Sequence, residues 1–166
     1  MFARRLYIPI ASIALVTLST GTHYVVAQEG AVGIWPQVLP LKHVEPGEED
    51  SEVRRLIKER YNETVSELRA EYQLFLGGRT TIRELTDTIE AFAGAGGELA
   101  DTAVARVSEL ELALLTAKAV EAIAVRKHAE GIEPIQNMHH ARACRLGIEI
   151  QLLRAREAAK AAREPK

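Results

Sequence analysis

Leu76-Gly77-Gly78-Arg79-Thr80-Thr81-Ile82-Arg83-Glu84-Leu85 reads as the end of one helix and the start of the next. Glycine enters the left-handed backbone region without a Cβ penalty, so Gly77-Gly78 closes a helix. Thr80 or Thr81 then offers a side-chain oxygen to the free N–H groups of a new helix. Glu84 follows three or four residues on, as in a capping box. Upstream, Val53, Ile57, Tyr61, Val65, Leu68, Tyr72 and Phe75 recur at spacings of three and four, the mark of one apolar helix face. Ser51 is placed to cap that helix, and Glu52 suits the positive end of its dipole. Downstream, Ile82, Leu85, Ile89 and Phe92 form the matching stripe. A turn this short makes the two helices antiparallel neighbours.

The same grammar recurs. Gly94-Ala95-Gly96-Gly97 is expected to break the second helix, and a third is predicted from about Glu98 to Ala129. Val107, Leu110, Leu114 and Ala117 mark one of its faces. Leu112, Leu115, Ala119 and Ala122 mark another, so it should touch two neighbours. Gly131 ends it and Pro134 opens a fourth helix, with Ile135, Met138, Ala141, Ile148, Leu152, Ala155 and Ala159 as its stripe. Arg145 interrupts that stripe, where its long stem can snorkel. Placing Gly78 on Gly131 puts Phe75 on His128, Tyr72 on Val125, Ile82 on Ile135 and Leu85 on Met138. The expected fold is therefore all-α: two antiparallel helical hairpins, 52–95 and 98–162, forming an elongated four-helix bundle or coiled-coil-like rod. Expected neighbours are Tyr72 with Leu85, Leu68 with Ile89, and Val125 with Met138.

Ahead of the helical region the pattern changes. Arg4 and Arg5 precede an apolar run over residues 6–18, and Val25 and Ala27 occupy the −3 and −1 positions of a cleavage site before Gln28. Residues 1–27 thus read as a secretory signal. The alternative is an uncleaved anchor, since residues 6–26 are long enough to span a bilayer. Residues 28–51, with Pro36, Pro40, Pro46, Gly30, Gly33, Gly47 and the acidic run Glu48-Glu49-Asp50, keep no period and read as an extended linker carrying an isolated Trp35. The expected location is the periplasm or cell envelope. A net charge of −2 gives no basic excess for nucleic acid, and three Phe, one Trp and four Tyr leave few platforms for stacking bases. A single cysteine, Cys144, excludes an internal disulfide and four-cysteine zinc folds.

Gly-Gly-Arg-Thr-Thr-Ile-Arg-Glu-Leu at 77–85, followed by Ile89 and Phe92, resembles the hairpin tip of TolC-type outer-membrane efflux channels. The run from Ala141 to Leu153 resembles the returning helix of a second copy. The resemblance spans about residues 55–157. It implies a periplasmic helical hairpin whose tip meets other proteins, with Gly77, Gly78, Arg79, Thr80 and Arg83 as contact residues. Members of that family carry membrane β-strands between their hairpins. Here only residues 94–98 join the halves, and no segment alternates apolar and polar residues over the ~10 positions a barrel strand needs. The implied likeness is to the helical region alone.

Candidate chemistry is sparse. His140 and Cys144 lie four apart on one helix, and with His139 or His128 they offer three ligands suited to zinc or copper; the set singled out is His128, His140 and Cys144. His140 beside Cys144 also has the residue types of a base and a nucleophile, without the donor cluster or strained turn such chemistry needs. Glu48, Glu49 and Asp50 read as solvated linker acids. Asn62-Glu63-Thr64 matches a glycosylation acceptor but falls inside a helix. The leading expectation is a non-catalytic exported protein, with no cofactor, that binds other envelope proteins or copies of itself. The alternative is a small periplasmic metal-binding or stress-responsive protein.

Overall fold

The computed structural model describes residue 41 and residues 43–163; the expected signal segment and Trp35 lie outside the described residues. The described chain is all-α, with helices α1 (Glu52–Leu76), α2 (Ile82–Leu99), α3 (Ala103–Ala129) and α4 (Ile135–Ala161) and no strand among the described residues. No helix of the described residues is long and apolar enough to cross a membrane.

The local signals act as read. Ser51 Oγ accepts the Arg54 N–H at the start of α1. Thr81, rather than Thr80, caps α2, and the capping box is complete: Thr81 Oγ1 accepts the Glu84 N–H while Glu84 Oε2 accepts the Thr81 N–H at 2.8 Å. Both glycine turns are built the same way. Gly78 (φ 67°) and Gly131 (φ 72°) are left-handed, with Gly78 N–H donating to Phe75 O and Gly131 N–H to His128 O. The next N–H groups, of Arg79 and Ile132, reach back to Leu74 O and Lys127 O, which closes the carbonyl ends in Schellman fashion. Three residues later α2 and α4 begin, at Ile82 and Ile135.

α1 packs on α2 and α3 packs on α4, while α2 also contacts both α3 and α4. The central helix is thus α2, not α3. Its small residues permit this: Thr86, Thr88, Ala93, Ala95 and Gly96 are buried along with Ile82, Leu85, Ile89 and Phe92. The core joins Tyr61, Val65, Leu68, Tyr72 and Phe75 of α1 to that set, then to Leu110, Ala117, Val120 and Ala124 of α3 and to Ala141, Cys144, Ile148 and Leu152 of α4.

Three sequence expectations are corrected. Residues 94–97 do not break α2, which runs on to Leu99. Gly96 serves proximity instead: a Cβ there would sit 3.2 Å from Glu109 Cβ on α3. The turn falls at residues 100–102, where Thr102 caps α3 by accepting the Ala105 N–H. Val53 is 67% exposed, because α1 has 25 residues against the 18 of α2 and its first turns outrun its partner. Leu115 and Ala122 are exposed; the second buried side of α3 is made by Thr116, Ala119 and Ile123. Val125 is 48% exposed and lies outside the core, whereas Met138 is half-buried against it.

The last part of the expected linker is docked rather than free. Leu41 and Val44 pack against the core. Asn62 clamps Val44 on both sides, accepting its N–H at 2.8 Å and donating to its carbonyl at 3.1 Å. The first residue of the glycosylation-like triplet is therefore committed to the fold. Asp50 is not a solvated acid: its carboxylate meets Lys58 Nζ at 2.6 Å, and that hydrogen bond holds its pKa below the usual value.

Candidate functional site

The tip between α1 and α2 is a hydrogen-bonded polar constellation on the surface. The Schellman turn fixes Gly77 and Gly78, and the capping box fixes the start of α2. Between them, the Thr80 hydroxyl bonds to Glu71 on α1 and lies 2.8 Å from Glu84 Oε2 on α2, so one side chain ties the two helices together. The Thr81 N–H, then the Thr80 and Thr81 hydroxyls, hold the Glu84 carboxyl below its ordinary pKa. The nearby acids are thus turned onto threonines. Arg79 and Arg83 are exposed, and their guanidinium groups make no hydrogen bond or ion pair among the described residues. Gly77 and Gly78 are exposed, and nothing lies within 4 Å of where a Gly78 Cβ would stand. On the same hairpin, Glu67, Glu71, Glu84, Asp87, Thr88 and Ala91 line a shallow groove of about 330 Å³. The tip therefore presents two unneutralised guanidinium groups on a rigid base, next to an acidic groove.

The three residues singled out for metal are not brought together. His128 closes the last turn of α3, with Nδ1 3.0 Å from Glu133 O. His140 lies on α4 with Nε2 2.8 Å from Asp87 Oδ1 of α2. Cys144 faces α2 one turn further on, 1% exposed, with Sγ 3.8 Å from Thr86 O. His139 is exposed. No group of three or more His, Cys, Asp or Glu side chains is placed to hold a metal ion among the described residues. The sequence spacing put His140 and Cys144 on one face correctly, but that face is the packing seam with α2. Burial, with Glu90 adding, pushes the Cys144 thiol up to about 12. A thiol so placed stays protonated at neutral pH and is shielded from a substrate.

Sequence reasoning missed three features. Arg145, expected to snorkel, instead pairs with Glu121 across the α3–α4 seam and with Glu149 on its own helix, both at 2.5 Å. Arg54 reaches the far end of α2, donating to Leu99 O at 2.6 Å and pairing with Asp101 at 2.7 Å. A second groove of about 500 Å³ lies between the α2–α3 turn and α4, lined by Thr102, Arg106, Gln151, Arg154 and neighbouring alanines. Apart from the i,i+4 pair of Arg145 with Glu149, these features depend on which helix lies next to which, and no local pattern encodes that. Comparison of the chain with protein-family models, curated proteins and solved structures finds no match.

Proposed function

We propose that this is a non-catalytic, exported protein of the cell envelope that binds a protein partner through the tip of its first hairpin. The observation that carries the reading is the pair of exposed arginines, Arg79 and Arg83, on a turn whose backbone groups are otherwise committed. Exposed cations outside any ion pair favour an acidic partner surface and speed its capture. Little ordering entropy is lost on binding, because the Schellman turn, the capping box and the Thr80 bridge already hold the loop. The export reading rests on the N-terminal charged and apolar segment. The class of partner, a helical protein of the envelope, rests on the resemblance of residues 77–85 to efflux-channel hairpin tips.

The test is the double variant Arg79→Ala, Arg83→Ala. Helicity and melting temperature should stay within error of the parent, because neither side chain is buried or paired. Capture of the partner identified by in-cell cross-linking should fall, and should fall further with added salt in the parent protein. If capture survives the double change and disappears on removal of the segment around Trp35, the linker is the binding element and the tip reading is wrong.

A further inference from the structure

α4 is apolar on two opposite sides. Its inner side, Ala141, Cys144, Ile148, Leu152, Ala155 and Ala159, is buried in the core. On the reverse side Leu146, Ile150 and Leu153 stand 43%, 49% and 53% exposed. At 3.6 residues per turn these three form one line along the helix, and Arg142 and Glu157 extend the same line at its two ends. Both charged residues are available. The Arg142 side chain is 62% exposed and its acidic neighbour Glu121 is 4.0 Å away, already held by Arg145. Glu157 is exposed and makes no hydrogen bond or ion pair among the described residues.

The order Arg142, Leu146, Ile150, Leu153, Glu157 is nearly symmetric about a point between residues 149 and 150, except that the charge reverses from one end to the other. That pattern is complementary to itself only when turned end for end. Two such helices laid antiparallel place Leu146 against Leu153 of the second copy, Ile150 beside the axis, and Arg142 against Glu157 of the second copy, twice over. Laid parallel, they set arginine on arginine and glutamate on glutamate. We propose that the outer face of α4 is a homodimer interface, occupied by a second copy of this chain packed antiparallel about a two-fold axis at residues 149–150. The interface is isologous, so it closes at two copies and does not propagate. A single helix face per copy lies at the small end of stable interfaces, so the dimer exchanges with monomer. This inference is independent of the tip, and its variants leave Arg79 and Arg83 untouched.

Cysteine cross-linking in the full-length chain tests it. Cys144 is buried, so the parent protein is its own uncross-linked control. Under mild oxidation Ile150→Cys should give a disulfide-linked dimer. Leu146→Cys should link to Leu153→Cys when the two differently tagged chains are co-expressed, and neither should link to itself. Self-pairs lie about seven residues apart along the axis, roughly 10 Å, beyond disulfide reach. In the Ile150→Cys background, Arg142→Glu or Glu157→Arg alone should lower the linked fraction roughly ten-fold, since each creates two like-charge contacts. The double variant Arg142→Glu, Glu157→Arg should restore it. All these positions are exposed, and an unchanged circular dichroism spectrum verifies the fold. Self-linking of Leu146→Cys, linkage only to a different protein, absence of any dimer, or failure of the double charge swap to restore linkage would each overturn the proposal.

Discussion

Gly94→Ala decides whether α2 truly runs through its glycine-rich segment. In the structure Gly94 lies mid-helix and nothing stands within 4 Å of its added Cβ. Glycine in a helix interior costs about 0.5–1 kcal/mol relative to alanine, because it surrenders more backbone freedom on folding. Gly94→Ala should therefore stabilise by about that amount, which for a domain of this size raises the melting temperature by a few degrees. Gly147→Ala in α4 is the positive control, since its Cβ also meets open space. Gly96→Ala is the contrast. Its Cβ would stand 3.2 Å from Glu109 Cβ and Oε2, so α3 must give way by a few tenths of an ångström. Overpacking costs about 1–3 kcal/mol, which cancels or outweighs the helical gain, so this variant should range from neutral to about 2 kcal/mol less stable. Urea unfolding at pH 7, with the slope unchanged, measures all three. A neutral or destabilised Gly94→Ala beside a stabilised Gly147→Ala would refute a continuous α2 and return residues 94–97 to a loop.

Other outcomes follow from the same packing. Leu68→Ala, at a fully buried site on the α1–α2 seam, should cost about 2–5 kcal/mol in chemical unfolding. Thr81→Ala removes the α2 cap and should cost about 0.5–2 kcal/mol, whereas Thr80→Ala, one residue outside the cap, should cost less. Glu84 and Asp50 both titrate below their usual values of 4.5 and 3.8, so the stability they contribute is fully present above those values. It is lost as pH falls through the depressed folded values, and an acid titration of Glu84→Gln should show a smaller loss over that range. Glu109 behaves oppositely. Half-buried against Tyr61, it is raised by desolvation, so stability falls as pH rises through its folded value, and Glu109→Gln should flatten that limb. Cys144 should resist alkylation at pH 8 in the native protein and react at once in denaturant; rapid native labelling would mean that α4 is not seated on α2 as described.

What was legible in the sequence was local backbone chemistry. The glycines at 78 and 131, the threonine–glutamate box at 81 and 84, and the serine at 51 each name a conformation that few other residues supply at that position. The all-α character follows from the periods between them. The glycine cluster at 94–97 misled because glycine signals two things, a break or a close approach, and only the position of Glu109 on another helix separates them. The metal candidates failed for a related reason. His140 and Cys144 share a face, but His128 belongs to a turn whose carbonyl occupies its ring. Leu146, Ile150 and Leu153 escaped notice because the stripe through Ile148 and Leu152 already accounted for one face of α4. A helix apolar on its reverse side as well is conspicuous only once the first side is seen to be filled.

The contacts of α2 with all three other helices carry a consequence for how the domain opens. In a bundle of two separable hairpins, each could unzip while its neighbour stayed intact, and the amides of each would exchange with solvent on their own schedule. Here peeling away either α1 or the α3–α4 pair strips apolar cover from the same helix, one that holds Ile82, Leu85, Ile89 and Phe92 at essentially zero exposure. The free energy of any partial opening then approaches that of global unfolding. Hydrogen exchange across α1, α2 and the inner faces of α3 and α4 should converge on one shared protection level, with the slowest amides in α2. The duplicated plan of two hairpins, each with its own glycine turn, has become a single cooperative unit because one of its four helices belongs to both.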